Sequence, residues 1–328
     1  MRKLLIILLF CSYLCNAAIL SYRLNGGRLG DNLHTLCRAA WLSYVTGTPL
    51  YYVPFEYGNS FAFSILLEPL DLTLLANAIK ISTCADIYPD SSLTYLCHFY
   101  TKTEPLYEYA IAYPEFGRML KRLLAPTAAL SPLSLPDDCI TIAMHVRKGG
   151  GFDKPLASEQ AVIGSVDYSD LKWPSKFPPD EFYITALRRI IELMPDQKLY
   201  VYIFTDDPHP ARIAQRYGAA INHPLLTFDY REQDNAHNCN VVQDFYAMTQ
   251  FNCIIRSTSL FAKAAQLIAD YTLMIYPKAA HVQDKKVIID AIELLTRFDS
   301  TINRYNITHT IQDAQSDCIV QKIKNAKV

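Results

Sequence analysis

"CITIAMHVRKGGG", residues 139–151, is the stretch that decides the fold. A largely apolar run stops at a basic pair, Arg147 and Lys148, and three glycines follow. Near-continuous apolar runs mark parallel strands that are covered on both faces. In open parallel sheets, ligands bind beyond the carboxyl ends of the strands. His145 lies two residues before Arg147, so both point to the same side of the strand. Arg147 offers a fork of donors suited to phosphate and Lys148 adds a second positive charge. Amide groups of Gly149, Gly150 and Gly151 could join them around a diphosphate. The plainer alternative is a core histidine followed by two solvated cations.

The segments around this strand alternate between strand and helix. "PDEFYITALRRIIELMP" (179–195) reads as a helix with Pro at its start and Phe182, Leu187, Ile190 and Ile191 on one face. "KLYVYIFTDD" (198–207) is a second covered strand, and "PARIAQRYG" (210–218) a short helix. "VVQDFYAMTQFN" (241–252), "CIIR" (253–256), "TSLFAKAAQLIAD" (258–270) and "TLMIYP" (272–277) continue as helix, strand, helix and strand. Upstream, "AILSYRL" (18–24) and "PLYYVPF" (49–55) read as strands. They flank a helix with a stripe of Leu33, Leu36, Cys37, Ala40, Trp41 and Tyr44. "TAALSPLSLPDD" (127–138), rich in Pro and Ser, is the linker between two α/β domains, 18–130 and 131–328. Residues 60–130 read as mixed and helical.

Composition limits the function classes. The 328-residue chain is 51% hydrophobic and 19% charged, which describes a globular protein of two domains. A net charge of −1 argues against a general nucleic-acid binder. Residues 1–17 combine two cations, an apolar run and small residues, the layout of a signal peptide or short membrane anchor. That leader points to the secretory pathway or a membrane, with a buried segment of a cytoplasmic protein as the alternative. Nine cysteines without C-x-x-C pairs indicate neither a disulfide framework nor a zinc site. Cys37, Cys139 and Cys253 read as core. Asn306 opens an N-glycosylation sequon, "NIT". No nucleophile-elbow or P-loop pattern occurs, which argues against a hydrolase.

Four strand ends carry unusual residues: "NGGRLGDN", "HVRKGGG", "FTDD" and "RSTS". Six of the eleven glycines fall in the first two. Ser257, Thr258 and Ser259 open a helix, where hydroxyls cap orphan amides and the N-terminus attracts anions. Asp206 and Asp207 could accept from a base edge or a ribose hydroxyl, or could form a turn and helix cap.

Taken in order, these blocks resemble the fucosyltransferase superfamily that includes the α1,2-, α1,6- and protein O-fucosyltransferases. "HVRKGGG" resembles its H-x-R-R-x-D block and "GGRLGDNL" its G-x-L-G-N-Q loop. "FTDDP" and "DFYAMTQFNCIIRSTSLFAKAA" are similar to its later motifs, the last most like the α1,2 branch. Where the family has a second arginine this chain has Lys148. The motif acid falls on Gly150, with Asp153 nearby, and the loop Asn and Gln are Asp31 and Asn32.

The resemblance implies a GT-B-like architecture, two Rossmann-like domains whose parallel sheets face a cleft. It implies inverting transfer of fucose from GDP-fucose to a glycan hydroxyl, α1,2-linked, with no obligatory metal. Arg147 would hold the donor diphosphate with His145, Lys148, Gly149 and Gly150. Ser257, Thr258 and Ser259 would form the serine-rich diphosphate loop, and Asp206 or Asp207 would contact the guanosine. Gly27, Arg28 and Gly30 would face the sugar or acceptor, and Asp31 would be the base. A protein O-fucosyltransferase-like enzyme, and a catalytically silent GDP-sugar or glycan binder on the same fold, stand as alternatives.

Overall fold

The computed structural model describes residues 18–89, 91–98, 105–148, 173–298 and 301–307. Residues 1–17, read above as a leader, and Gly149, Gly150, Gly151 and Asp153 lie outside these residues. The chain divides into two compact units, Met1–Leu130 and Ser131–Val328.

In the first unit, β1 (Ile19–Tyr22) runs into α1 (Leu29–Thr46). A helical turn α2 (Phe63–Leu66), strands β2 (Ile79–Ile81) and β3 (Thr94–Cys97), and helices α3 (Leu106–Ala112) and α4 (Pro114–Leu123) follow. The sheet is parallel, in the order β1-β3-β2. α1 ends at Gly47, whose φ of 71° supplies the left-handed cap that closes a helix. Leu33, Leu36, Cys37 and Ala40 of its stripe are buried, but Tyr44 is exposed. Trp41 is half-buried and stacks on Tyr109 of α3 at 4.2 Å, so the stripe ends in a surface aromatic cluster.

"PLYYVPF" is not a strand. It runs beside β1 through two hydrogen bonds, Leu20 N to Pro49 O at 3.0 Å and Tyr51 N to Leu20 O at 2.8 Å. Pro49 and Pro54 bracket the segment, and proline cannot donate to a ladder. Tyr22 replaces the missing pairing: its buried hydroxyl donates to Val53 O and accepts from Val53 N, both at 3.2 Å. The strands that complete the sheet, β2 and β3, lie in the region read as mixed and helical.

The second unit contains β4 (Ile140–Val146), α5 (Asp180–Leu193), β5 (Leu199–Thr205), α6 (Pro210–Ile221) and β6 (Leu226–Tyr230). It continues with α7 (Val241–Met248), β7 (Cys253–Arg256), α8 (Leu260–Ile268) and β8 (Leu273–Gln283), then β9 (Lys286–Phe298) and β10 (Thr301–Asn306). The sheet order is β10-β9-β8-β7-β4-β5-β6. β4 through β8 are mutually parallel, and β9 and β10 extend the sheet antiparallel at one edge. The β8–β9 turn has Asp284 and Lys285 at φ of 48° and 63°, the two positive values of a tight hairpin.

Reading β4 to β8 as strands one to five gives the spatial order 3-2-1-4-5 of a dinucleotide-binding sheet. Ile140, Ile142, Met144 and Val146 of β4 pack with Phe182, Tyr183, Ala186, Leu187 and Ile190 of α5. Cys253 is buried with them, but Cys139, just before β4, is only partly covered because it precedes the ladder.

Candidate functional site

The strand order reverses between β4 and β7, and in open α/β sheets such a switch point is where ligands bind beyond the carboxyl ends of the strands. His145 lies in register with Arg256, so Arg147 and the Ser257–Ser259 turn leave the sheet side by side. β5 lies on the other side of β4, with Val146 opposite Thr205, which delivers Asp206 to the same end. Three of the four strand-end motifs of the sequence therefore meet within one unit.

Each side chain has a defined setting. The Arg147 guanidinium lies over the Phe177 ring at 5.1 Å. His145 faces Phe261 of α8 at 6.1 Å between ring centroids, and its carbonyl accepts from the Tyr183 hydroxyl at 3.1 Å. The buried Ser257 hydroxyl accepts from the Ser259 amide at 3.2 Å, ordering the turn into α8. Thr258 shares a hydroxyl contact of 3.0 Å with Ser175, and its amide donates to Ser175 O at 3.1 Å. Ser259 occupies the position before α8, buried, without a side-chain cap bond.

Lys148 has a buried partner. Its ammonium donates to Asp180 Oδ1 at 2.6 Å, and the two side chains are only 11% and 9% exposed. Its charge is thus matched by a carboxylate at the start of α5. Asp180 also accepts from Arg216 Nη1 at 2.5 Å and from the Tyr217 hydroxyl at 3.0 Å. Burial pushes the Asp180 carboxyl up, but the Lys148 charge and the bonds from Lys148, Arg216 and Tyr217 outweigh it and hold it below its usual range. Burial raises the Tyr183 and Tyr217 phenols.

The two acids of "FTDD" divide their work. Asp206 Oδ1 accepts the Lys148 amide at 2.7 Å. Asp207 is buried and accepts the His209 amide at 2.7 Å, the turn-and-cap arrangement that leads into α6. The Asp of the "DFYAM" segment, Asp244, pairs through both oxygens with Arg231, one bond measuring 3.0 Å. Desolvation raises the Asp244 carboxyl despite that partner.

In the first unit, Gly26 has a φ of 76°, while Gly27 is needed for space. A Cβ on Gly27 would lie 2.5 Å from Asp31 Cβ and 2.6 Å from its Cγ. Asp31 therefore folds back over the glycine in the first turn of α1, where a carboxylate suits the helix dipole. Asn32 donates to Gly27 O at 3.2 Å and fixes the loop to the helix. Arg28 precedes α1, and Gly30 is buried within its first turn.

The sequence did not disclose Asp180, Tyr183, Ser175 or Phe177 as neighbours of the strand end. The one local signal was an acid directly after "PP" at a helix start. Among the described residues, no group of three or more His, Cys, Asp and Glu side chains comes together as metal ligands, and no helix is long and apolar enough to cross a membrane.

No protein-family model matches the chain, and no curated protein matches it. Solved structures do. A mutant of Arabidopsis thaliana FUT1 in complex with GDP aligns with a TM-score of 0.50 at 11% identity, covering 83% of this chain and 72% of that one. NodZ α-1,6-fucosyltransferase soaked with GDP-fucose gives 0.45 at 14%, covering 89% and 99%. The E. coli heptosyltransferase WaaC with ADP-2-deoxy-2-fluoro heptose gives 0.34 at 10%, covering 82% and 91%. The structural neighbours are thus fucosyltransferases and a heptosyltransferase, and the chain has the mixed α/β fold with parallel sheets of a GT-B glycosyltransferase, shared with FUT1.

Proposed function

We propose that this chain is a glycosyltransferase that takes its sugar from a nucleoside diphosphate donor. The observation that carries the reading is the β4/β7 switch point, where Arg147 and the Ser257–Ser259 turn at the start of α8 emerge side by side. A guanidinium and a helix N-terminus form a pair suited to a diphosphate. As the sugar leaves, the diphosphate gains charge, and groups preorganised around it favour that state. The GDP in the FUT1 complex supports GDP as the nucleotide, and the sequence resemblance supports fucose as the sugar, moved with inversion to a glycan hydroxyl in α1,2 linkage. Asp31, an acid in the first turn of α1, is the proposed base toward the acceptor. The leader at 1–17 is the proposed route to the secretory pathway or a membrane.

The test is a donor screen over GDP- and UDP-sugars with mass readout and a glycan acceptor panel, run on the wild type and Arg147→Ala. Transfer from a GDP-sugar, lost in a folded Arg147→Ala protein, supports the reading; wild-type turnover in that variant overturns it. A second reading, binding without transfer, is favoured by the pairing of Lys148 with Asp180, which leaves less positive charge for the leaving group. GDP binding with neither hydrolysis nor transfer of any donor would support it.

A further inference from the structure

We infer that Asp180 is a positioning residue for Arg147, acting through Lys148; the inference rests on the donor-site reading above and names how that site is held. Residues 145–148 are gripped at three points by groups from outside β4. The Tyr183 hydroxyl donates to His145 O at 3.1 Å. Asp206 accepts the Lys148 amide at 2.7 Å, and Asp180 accepts its ammonium at 2.6 Å. Arg147 sits between these grips. It is the first residue after β4, which ends at Val146.

The grip is itself anchored. Asp180 opens α5, whose buried face packs under β4, and Arg216 and Tyr217 of α6 hold the carboxylate from another side. The charges that face Asp180 are therefore Lys148 and Arg216, and the polar neighbour is the Tyr217 hydroxyl. Asp180 holds the Lys148 ammonium while Asp206 holds its backbone amide, so the two acids together restrain the chain just after β4. Lys148 is drawn to Asp180 while Arg147 settles on Phe177, three residues before Asp180 in the chain. One short segment, residues 177–180, thereby fixes both neighbours. Lysine serves here because a single ammonium on a flexible stem reaches a buried carboxylate, whereas a fork would present donors beyond those that Asp180 accepts.

The test uses the full chain, with GDP as the probe by calorimetry and Arg147 Nε–H exchange by NMR without ligand. Asp180→Asn is expected to weaken GDP binding by about tenfold and to speed Arg147 Nε–H exchange. In an Arg147→Lys background the same substitution should cost almost nothing further, because there is no fork left to position. Lys148→Arg keeps the charge but adds donors that Asp180 has no room to accept, so it should regain only part of what Lys148→Met loses. A loss of equal size in the Arg147→Lys background, or exchange unchanged by Asp180→Asn, overturns the inference. Lys148→Met breaks the same grip from the other partner should Asp180→Asn fail to fold. A wild-type protein that binds no GDP sinks the donor reading instead, and the exchange measurement still decides the clamp.

Discussion

His145 of β4 stands directly opposite Arg256 of β7 in the parallel ladder, across the point where the strand order reverses. Two arginines follow from that register, and their surroundings differ. Arg256 is buried, donates from Nε to Gln266 at 2.6 Å and from Nη1 to Ser257 O at 3.0 Å, and lies over Tyr276 at 4.3 Å. Arg147 meets the face of Phe177 at the strand end.

Arg256→Ala is expected to destabilise the fold by roughly 3 kcal/mol, because it strips charge-assisted bonds from buried partners. Arg147→Ala should instead lower transfer by on the order of 10²–10³ with little loss of stability. Urea unfolding and donor turnover of both variants separate the two arginines. Equal stability losses would contradict the contrast.

Acid should weaken the Asp180 grip. Its folded carboxyl titrates below the ordinary value of 3.8. The stabilisation is therefore fully present above that value and is lost as pH falls through the lower, folded one. Asp180→Asn should cost roughly 3 kcal/mol at pH 7, shrinking steadily as pH drops below about 4. Unfolding curves of both proteins at descending pH check this; a penalty independent of pH would count against the charged pair.

Asp207 serves the turn before α6. Its bond to the His209 amide resembles a helix cap, so Asp207→Ala should cost about 1 kcal/mol and Asp207→Asn much less. GDP affinity should follow neither change. A selective loss of nucleotide binding in Asp207→Asn would return it to the ligand site.

Gly27→Ala should push Asp31 off the loop, since the new methyl would lie only 2.5 Å from its Cβ. The expected stability loss is about 1–3 kcal/mol, with transfer falling to the level of Asp31→Ala. A Gly27→Ala protein more active than Asp31→Ala would separate the glycine from the acid.

Legibility followed burial and locality. β4, β5 and β7 were evident because a doubly covered strand is apolar throughout, and α5 through α8 because their apolar faces repeat at helical spacing. β2, β3, β9 and β10 were not, since three of them are short and β9 belongs to an antiparallel edge with mixed sides. The turn at Asp284–Lys285 lacks the glycine that marks such hairpins, and "PLYYVPF" imitated a strand until its prolines denied it partners. In the candidate site, Arg147 and Ser257–Ser259 were readable as strand-end residues. Nothing local placed Asp180 against Lys148 thirty-two positions earlier.

The sequence by itself determined that cations, glycines and hydroxyls close the ends of apolar strands, because strand identity and capping chemistry are local properties. Which ends adjoin was decided by the order 3-2-1-4-5, which arises from crossover packing of helices on both faces. The tertiary structure also assigned the charges: it gave Lys148 to Asp180 and Asp207 to the turn before α6. A charge is free or committed only relative to partners that folding brings near, and those partners lie too far along the chain for any local pattern to name.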